Sequence, residues 1–205
     1  MTGVKFPPGA FAREDESPDA DFYVEPRFKT HIDDAAIAAL TGFYRQVLPP
    51  GGVVLDLMSS WVSHYPEDVE FAEVIGHGMN AEELAANPRF SRWFIQDLNR
   101  NPVLPLETAS LDAATICVSI QYLQHPVEVL RDLARCLRPG APLTVAFSNR
   151  CFPTKAVAIW RSLYPSQHAA LVETYLREAG YAGIEVHRLR DDLISDPMTV
   201  VTGRR

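Results

Sequence analysis

The chain lacks any run of roughly eighteen uncharged apolar residues, so no segment reads as a membrane-spanning helix. Its opening stretch, MTGVKFPPGAFAREDESPDADF, lacks the apolar core of a secretory signal, which makes the cytoplasm the expected compartment. Cysteine is scarce: Cys117, Cys136 and Cys151 are widely spaced, with no CxxC pair and no HExxH, so neither a disulfide framework nor a metal site is expected. They read as small hydrophobes in a reducing compartment. A basic excess is also missing, with 19 Lys and Arg against 26 Asp and Glu and a net charge of -7. That balance disfavours long nucleic acids as partners. Glycine (11) is outnumbered by proline (16), and no GxSxG, GxxxxGK or GxGxxG follows an apolar run. A hydrolase triad, a kinase-like nucleotide site and a typical dinucleotide site are thereby disfavoured.

What is present is a 205-residue chain, 47% hydrophobic, enough for one globular core. Residues 1–30 read as an N-terminal arm, mobile over its first 25 or so residues because of Pro7, Pro8, Gly9, Pro18 and the acidic Glu14, Asp15 and Glu16. Residues 31–205 read as a single domain. From His31, the spacing Ile32, Ala36, Leu40, Phe43, Val47 predicts an amphipathic helix stopped by Pro49 to Gly52. Short apolar runs at 53–58, 71–76, 93–98, 113–120 and 143–148 read as strands. Asn80 and Glu83 have capping-box spacing before a helix; Pro126 opens another, and a third runs over 168–179 to Gly180. Two last strands, near 184–189 and 198–202, would pair as a hairpin.

Strands alternating with helices need crossover connections, which predicts an α/β, doubly wound, mostly parallel seven-stranded sheet with an antiparallel C-terminal edge. Ligands of such sheets bind beyond the carboxyl ends of the strands, beside the first. Those ends supply Asp56 to Tyr65, Gly76 to Asn80, Asp97 to Asn99, Ser119 to Tyr122 and Ser148 to Lys155.

The order VLDLM, VIGHGMN, FIQDLNRNPVLPLETASLDAATICVSIQYLQHPVEVLRDLARCLRPG, LTVAFSN resembles the class I S-adenosylmethionine-dependent methyltransferases of the small-molecule type. The resemblance covers residues 50–150, most specifically 97–140. It implies S-adenosyl-L-methionine as cofactor and a Rossmann-like fold. Asp56 would sit near the methionyl ammonium, Asp97 and Leu98 would meet the adenine, and Ser119 and Gln121 would floor the methyl group. Two positions depart from the family pattern. MSSWVSHYP replaces the glycine-rich loop, and Gly78 stands where a ribose-binding acid is usual. Ser59, Ser60, His64, Met79 and Asn80 would then rebuild the site, with Asn80 or His77 replacing the acid and Met58 and Gly78 also against the cofactor.

The acceptor side is expected in 148–160, with Asn149, Arg150, Phe152 and Lys155 binding a small molecule. The arm, through Phe22, Tyr23, Phe28 and His31, would close over it, Tyr23 and His31 contacting the acceptor. Methyl transfer from a sulfonium needs positioning above all, and an acceptor proton would pass to His64, His31 or Tyr122. The reading is methyl transfer to a small molecule by in-line displacement, with His64 and Tyr122 as catalytic candidates. The competing one is a catalytically silent module that binds the cofactor or S-adenosylhomocysteine on the same fold. A nucleotide-sugar or dinucleotide enzyme is the weaker third.

Overall fold

A computed structural model describes residues 4–205; the first three residues of the expected arm lie outside it. Seven strands form one sheet in the order β3-β2-β1-β4-β5-β7-β6. They are β1 (Val53–Leu57), β2 (Glu73–Gly78), β3 (Arg92–Ile95), β4 (Ala113–Cys117), β5 (Pro142–Phe147), β6 (Ala182–Arg190) and β7 (Met198–Arg204). β3, β2, β1, β4 and β5 are parallel, and β7 runs antiparallel to both β5 and β6. Chain order reverses between β1 and β4, which opens a crevice at their carboxyl ends.

The helices are α1 (Asp19–Phe22), α2 (Asp34–Val47), α3 (Ala81–Ala86), α4 (Pro126–Cys136), α5 (Ala158–Ser162) and α6 (His168–Ala179). α2 starts three residues later than its apolar spacing suggests, because the Asp33 side chain accepts the Ala36 N–H and caps it there. Gly180, at φ +95°, ends α6 as expected. The expected strand through 113–120 stops at Cys117, where Val118 turns to φ +43° and a 3-10 turn follows over Ile120–Tyr122.

Both faces of the sheet are covered, which explains the apolar strands. Leu55 and Leu57 of β1 pack with Leu130 and Leu133 of α4 and Val172 and Leu176 of α6. Val54, of opposite facing, packs with Leu40, Phe43 and Tyr44 of α2. The sheet is thus a rigid floor, and its crevice carries the site.

The arm is ordered against the domain. Its backbone pairs with the segment after β5, Ala158 N–H donating to Ala12 O and Ile159 N–H to Ala10 O, each at 2.8 Å. Beneath it lies Lys155, fully buried, whose Nζ donates to Ser17 O at 2.7 Å and pairs with Asp15 and Asp19 at 3.2 and 3.4 Å. The prolines and acids that suggest a mobile segment are instead turn formers and partners for Lys155 and Arg13.

Candidate functional site

A cavity of about 510 Å³ lies over the carboxyl ends of β1 to β4, within the range of small-molecule sites. Its wall is built first by the loop after β1. Asp56 is buried and accepts hydrogen bonds from Ser59 Oγ at 2.6 Å and Thr115 Oγ1 at 3.0 Å. Burial raises the Asp56 carboxyl to about 6, against the pull of those donors. Asn87 Nδ2 donates to Ser60 O at 2.9 Å and Ser63 Oγ at 3.0 Å. Side-chain hydrogen bonds therefore give this loop the closeness that glycines would otherwise allow. Met58 and His64 take the left-handed backbone, φ +59° and +57°, within it. Trp61 is not in the cavity wall; its Nε1 donates to Lys29 O at 3.3 Å.

The same loop explains Gly78. A Cβ there would lie 2.6 Å from Ser59 O, so the loop's backbone occupies the space that an acidic side chain would need. Its two expected substitutes are committed elsewhere. His77 is buried; its Nδ1 accepts the Met58 N–H at 3.0 Å and its Nε2–H donates to Gln96 O at 2.9 Å, which fixes the tautomer. Asn80 Oδ1 caps α3, while its Nδ2 donates to Tyr23 O and Val24 O, each at 3.0 Å. Glu83 does not close the expected capping box. Its Oε1 accepts the Arg27 N–H at 2.6 Å, and the side chain lines the cavity with burial raising its carboxyl.

At the end of β4, Ser119 lines the cavity with its buried Oγ unpartnered. Val118, a β-branched residue in the left-handed region, stores strain of about 1–3 kcal/mol beside it. Tyr122 Oη accepts the Phe152 N–H at 2.8 Å, and the two rings stack at 6.0 Å. Burial pushes the Tyr122 phenol up to about 12, which keeps it protonated near neutrality, where it holds Phe152 in place. His64 is brought down to about 4 by burial and by its neighbour His31, which is itself lowered by burial and by Arg27. Both imidazoles are neutral at physiological pH.

The structure brings most of the expected residues to one cavity: Met58, Ser59, Ser60, His64, Gly78, Met79, Asn80, Asp97, Leu98, Ser119, Tyr122, Tyr23, His31, Arg150 and Phe152. Four are not in its wall. Asp56 lies under the loop that it fastens, and Gln121 is buried with its Nε2 donating to Val118 O at 2.9 Å. Lys155 holds the arm, and Asn149 bonds Ser148 instead. Arg150 lines the cavity, but its Nε donates to Asp196 at 2.8 Å. Sequence reasoning missed Arg27, Asp19 and Glu83, all cavity-lining; Asn99, also lining, lies in a strand-end stretch that the sequence singles out, without a role of its own. Glu83 was visible as a carboxylate just after β2, while Asp19 and Arg27 belong to an arm whose docking depends on distant partners.

Residues 61–145 match the methyltransferase domain family. The O-methyltransferase resE of Aspergillus sclerotiorum is 29% identical over 96 residues, 44% of this chain; the chain spans 36% of that protein's length. Among solved structures, an S-adenosylmethionine-dependent methyltransferase of Mesorhizobium loti superposes with a TM-score of 0.59, at 17% identity, over 82% of this chain and 98% of that one. Phosphoethanolamine N-methyltransferase 2 of Haemonchus contortus, solved with S-adenosyl-L-methionine, superposes with a TM-score of 0.57, at 13% identity, over 83% and 52%. The chain has the class I S-adenosylmethionine-dependent methyltransferase fold, with a methyltransferase domain match inside it. Among the described residues no helix is long and apolar enough to cross a membrane.

Proposed function

We propose that the protein transfers a methyl group from S-adenosyl-L-methionine to a small molecule. The observation that carries this reading is an open cavity across the β1/β4 crevice despite the missing glycines and acid: Trp61 is not in its wall, and the serine loop that forms part of the wall is fastened from below by Asp56. The residues present fit the cofactor. Asp97 offers a carboxylate at the end of β3, Glu83 offers one beside β2 in place of the position Gly78 leaves bare, and Ser119 Oγ is an unpartnered polar atom at the end of β4.

When bound, the cofactor would supply a sulfonium methyl for in-line displacement, a reaction in which positioning provides most of the acceleration. This chain's own part is to orient and to exclude water. Arm residues Tyr23 and His31 and the ring of Phe152 wall the acceptor end, and the arm is the lid over it. His64 is neutral and its ring makes no hydrogen bond to another described residue, which leaves it free to take an acceptor proton.

The competing reading, a silent binding module, draws on the absence of a strong base: His64 is weakly basic and the Tyr122 phenol is pushed up. Incubation with methyl-labelled cofactor and a small-molecule acceptor library separates the two. The proposal expects a labelled product; cofactor binding with no product from any hydroxyl, amine or thiol class supports the silent module.

A further inference from the structure

Among the described residues, Arg27 in the cavity wall carries a buried guanidinium donor that the molecule around it leaves unmatched. Arg27 enters from the arm, anchored by its backbone N–H on Glu83 and by Nη2, which donates to Phe22 O at 2.8 Å. Nη1 is buried and has no hydrogen-bond partner. The guanidinium carbon stands 4.7 Å from the ring centre of Phe22, 5.5 Å from Phe152 and 5.7 Å from Tyr23, so aromatic faces surround it.

The nearby carboxylates are engaged elsewhere. Asp19 is held by Arg13, Lys155 and Asn99. Asp196 is held by Arg150 and the Asp33 N–H, and Asp33 by the N–H groups of Ala36 and Asp196. Glu83 feels the charge of Arg27 but turns Oε1 to its backbone N–H. A buried donor on a permanent charge is expensive to leave unmade, and guanidinium is matched in geometry to a carboxylate.

We propose that Arg27 Nη1 is the anchor for a carboxylate carried on an aromatic acceptor, whose ring lies among Tyr23, His31 and Phe152. That this ligand is the methyl acceptor rests on the methyltransferase reading; the anion site itself rests on Arg27. An aromatic ring suits the walls, because His31 already meets Phe152 edge-on at 5.4 Å and Tyr122 stacks behind Phe152. An acidic hydroxyl on such a ring also suits a site whose two imidazoles are weak bases, since little proton affinity is then required of the protein.

The test is calorimetric titration of the full chain, free and saturated with S-adenosylhomocysteine, with benzoate, salicylate, 4-hydroxybenzoate and 4-hydroxycinnamate and with the primary amide of each. At least one carboxylate is expected to bind about tenfold or more tighter than its amide. Arg27→Gln should erase that preference, while Arg27→Lys should keep part of it. Both variants should bind S-adenosylhomocysteine within about twofold of the parent. Binding of none of the carboxylates, amides that bind as well, or a preference surviving in Arg27→Gln overturns the proposal. So does loss of S-adenosylhomocysteine from Arg27→Gln, which would assign Arg27 to the carboxylate of the cofactor. If S-adenosylhomocysteine fails to bind the parent, the methyltransferase reading falls alone, and the carboxylate–amide comparison on the free protein still decides the role of Arg27.

Discussion

Asp56 and His77, both buried near the end of β1, titrate in opposite senses and make the acid stability of the protein a contest. His77 is lowered from 6.5 to about 4 by burial. The unfolded chain binds its proton first, so its contribution is present above pH 6.5 and is lost as pH falls through about 4. Asp56 is raised from 3.8 to about 6, so its contribution is present below pH 3.8 and is lost as pH rises through about 6. At about 1.4 kcal/mol per unit, each is worth about 3 kcal/mol, and the lowered His64 adds to the His77 side. The parent should therefore lose stability from pH 6.5 to 4, and Asp56→Asn, which removes the opposing group, should lose it more steeply. Urea unfolding at pH 6.5, 5 and 4 checks this; parallel slopes would show that Asp56 keeps an ordinary pKa.

Gly78 belongs to the same scale. Restoring a side chain there does not restore a ribose contact, because Ser59 O blocks it at 2.6 Å from a Cβ. Gly78→Ala should cost about 1–3 kcal/mol in urea unfolding. An unchanged midpoint would mean the loop yields. Glu83→Gln, in contrast, should weaken S-adenosylhomocysteine binding about tenfold through loss of a charge-assisted acceptor, and calorimetry reads it. Equal affinity would remove Glu83 from the cofactor site. Residues such as Asp97 and Ser119 could be picked out from sequence because they directly follow apolar runs. Arg27 could not, and Lys155 reads from sequence as an acceptor contact instead of the arm's anchor, because their roles come from contacts between segments 56 and about 140 residues apart.

Among elements, the strands were the most legible, since burial on both faces writes a dense apolar run. Their ends were less so: β4 gives way to a left-handed residue at Val118 and then a 3-10 turn, and a valine does not announce it. Local composition argues for a mobile arm, whereas the folded arm is held on a buried cation, Lys155. Lys155→Met should release it, costing about 3 kcal/mol where the ion pairs are broken. Hydrogen exchange should show residues 10–23 losing protection while β1, β4 and β5 keep theirs. Uniform loss would mean that arm and sheet unfold as one unit.

For the whole molecule, the sheet order and the methyltransferase domain match define the fold, and the site then has to be judged on its own chemistry. The chain departs at two places from the pattern that its resemblance implies, and the structure links them. The serine loop, laced to Asp56, His77 and Asn87, approaches β2 so closely that only glycine fits at position 78. The loop and Gly78 thus form one packing arrangement, and it leaves the crevice open. Calorimetric titration with S-adenosylhomocysteine tests that claim most directly. The account predicts saturable binding at one molecule per chain, with thermal stabilisation of about 2.7 kcal/mol at a hundredfold excess over the dissociation constant. No heat and no stabilisation at millimolar ligand would contradict it.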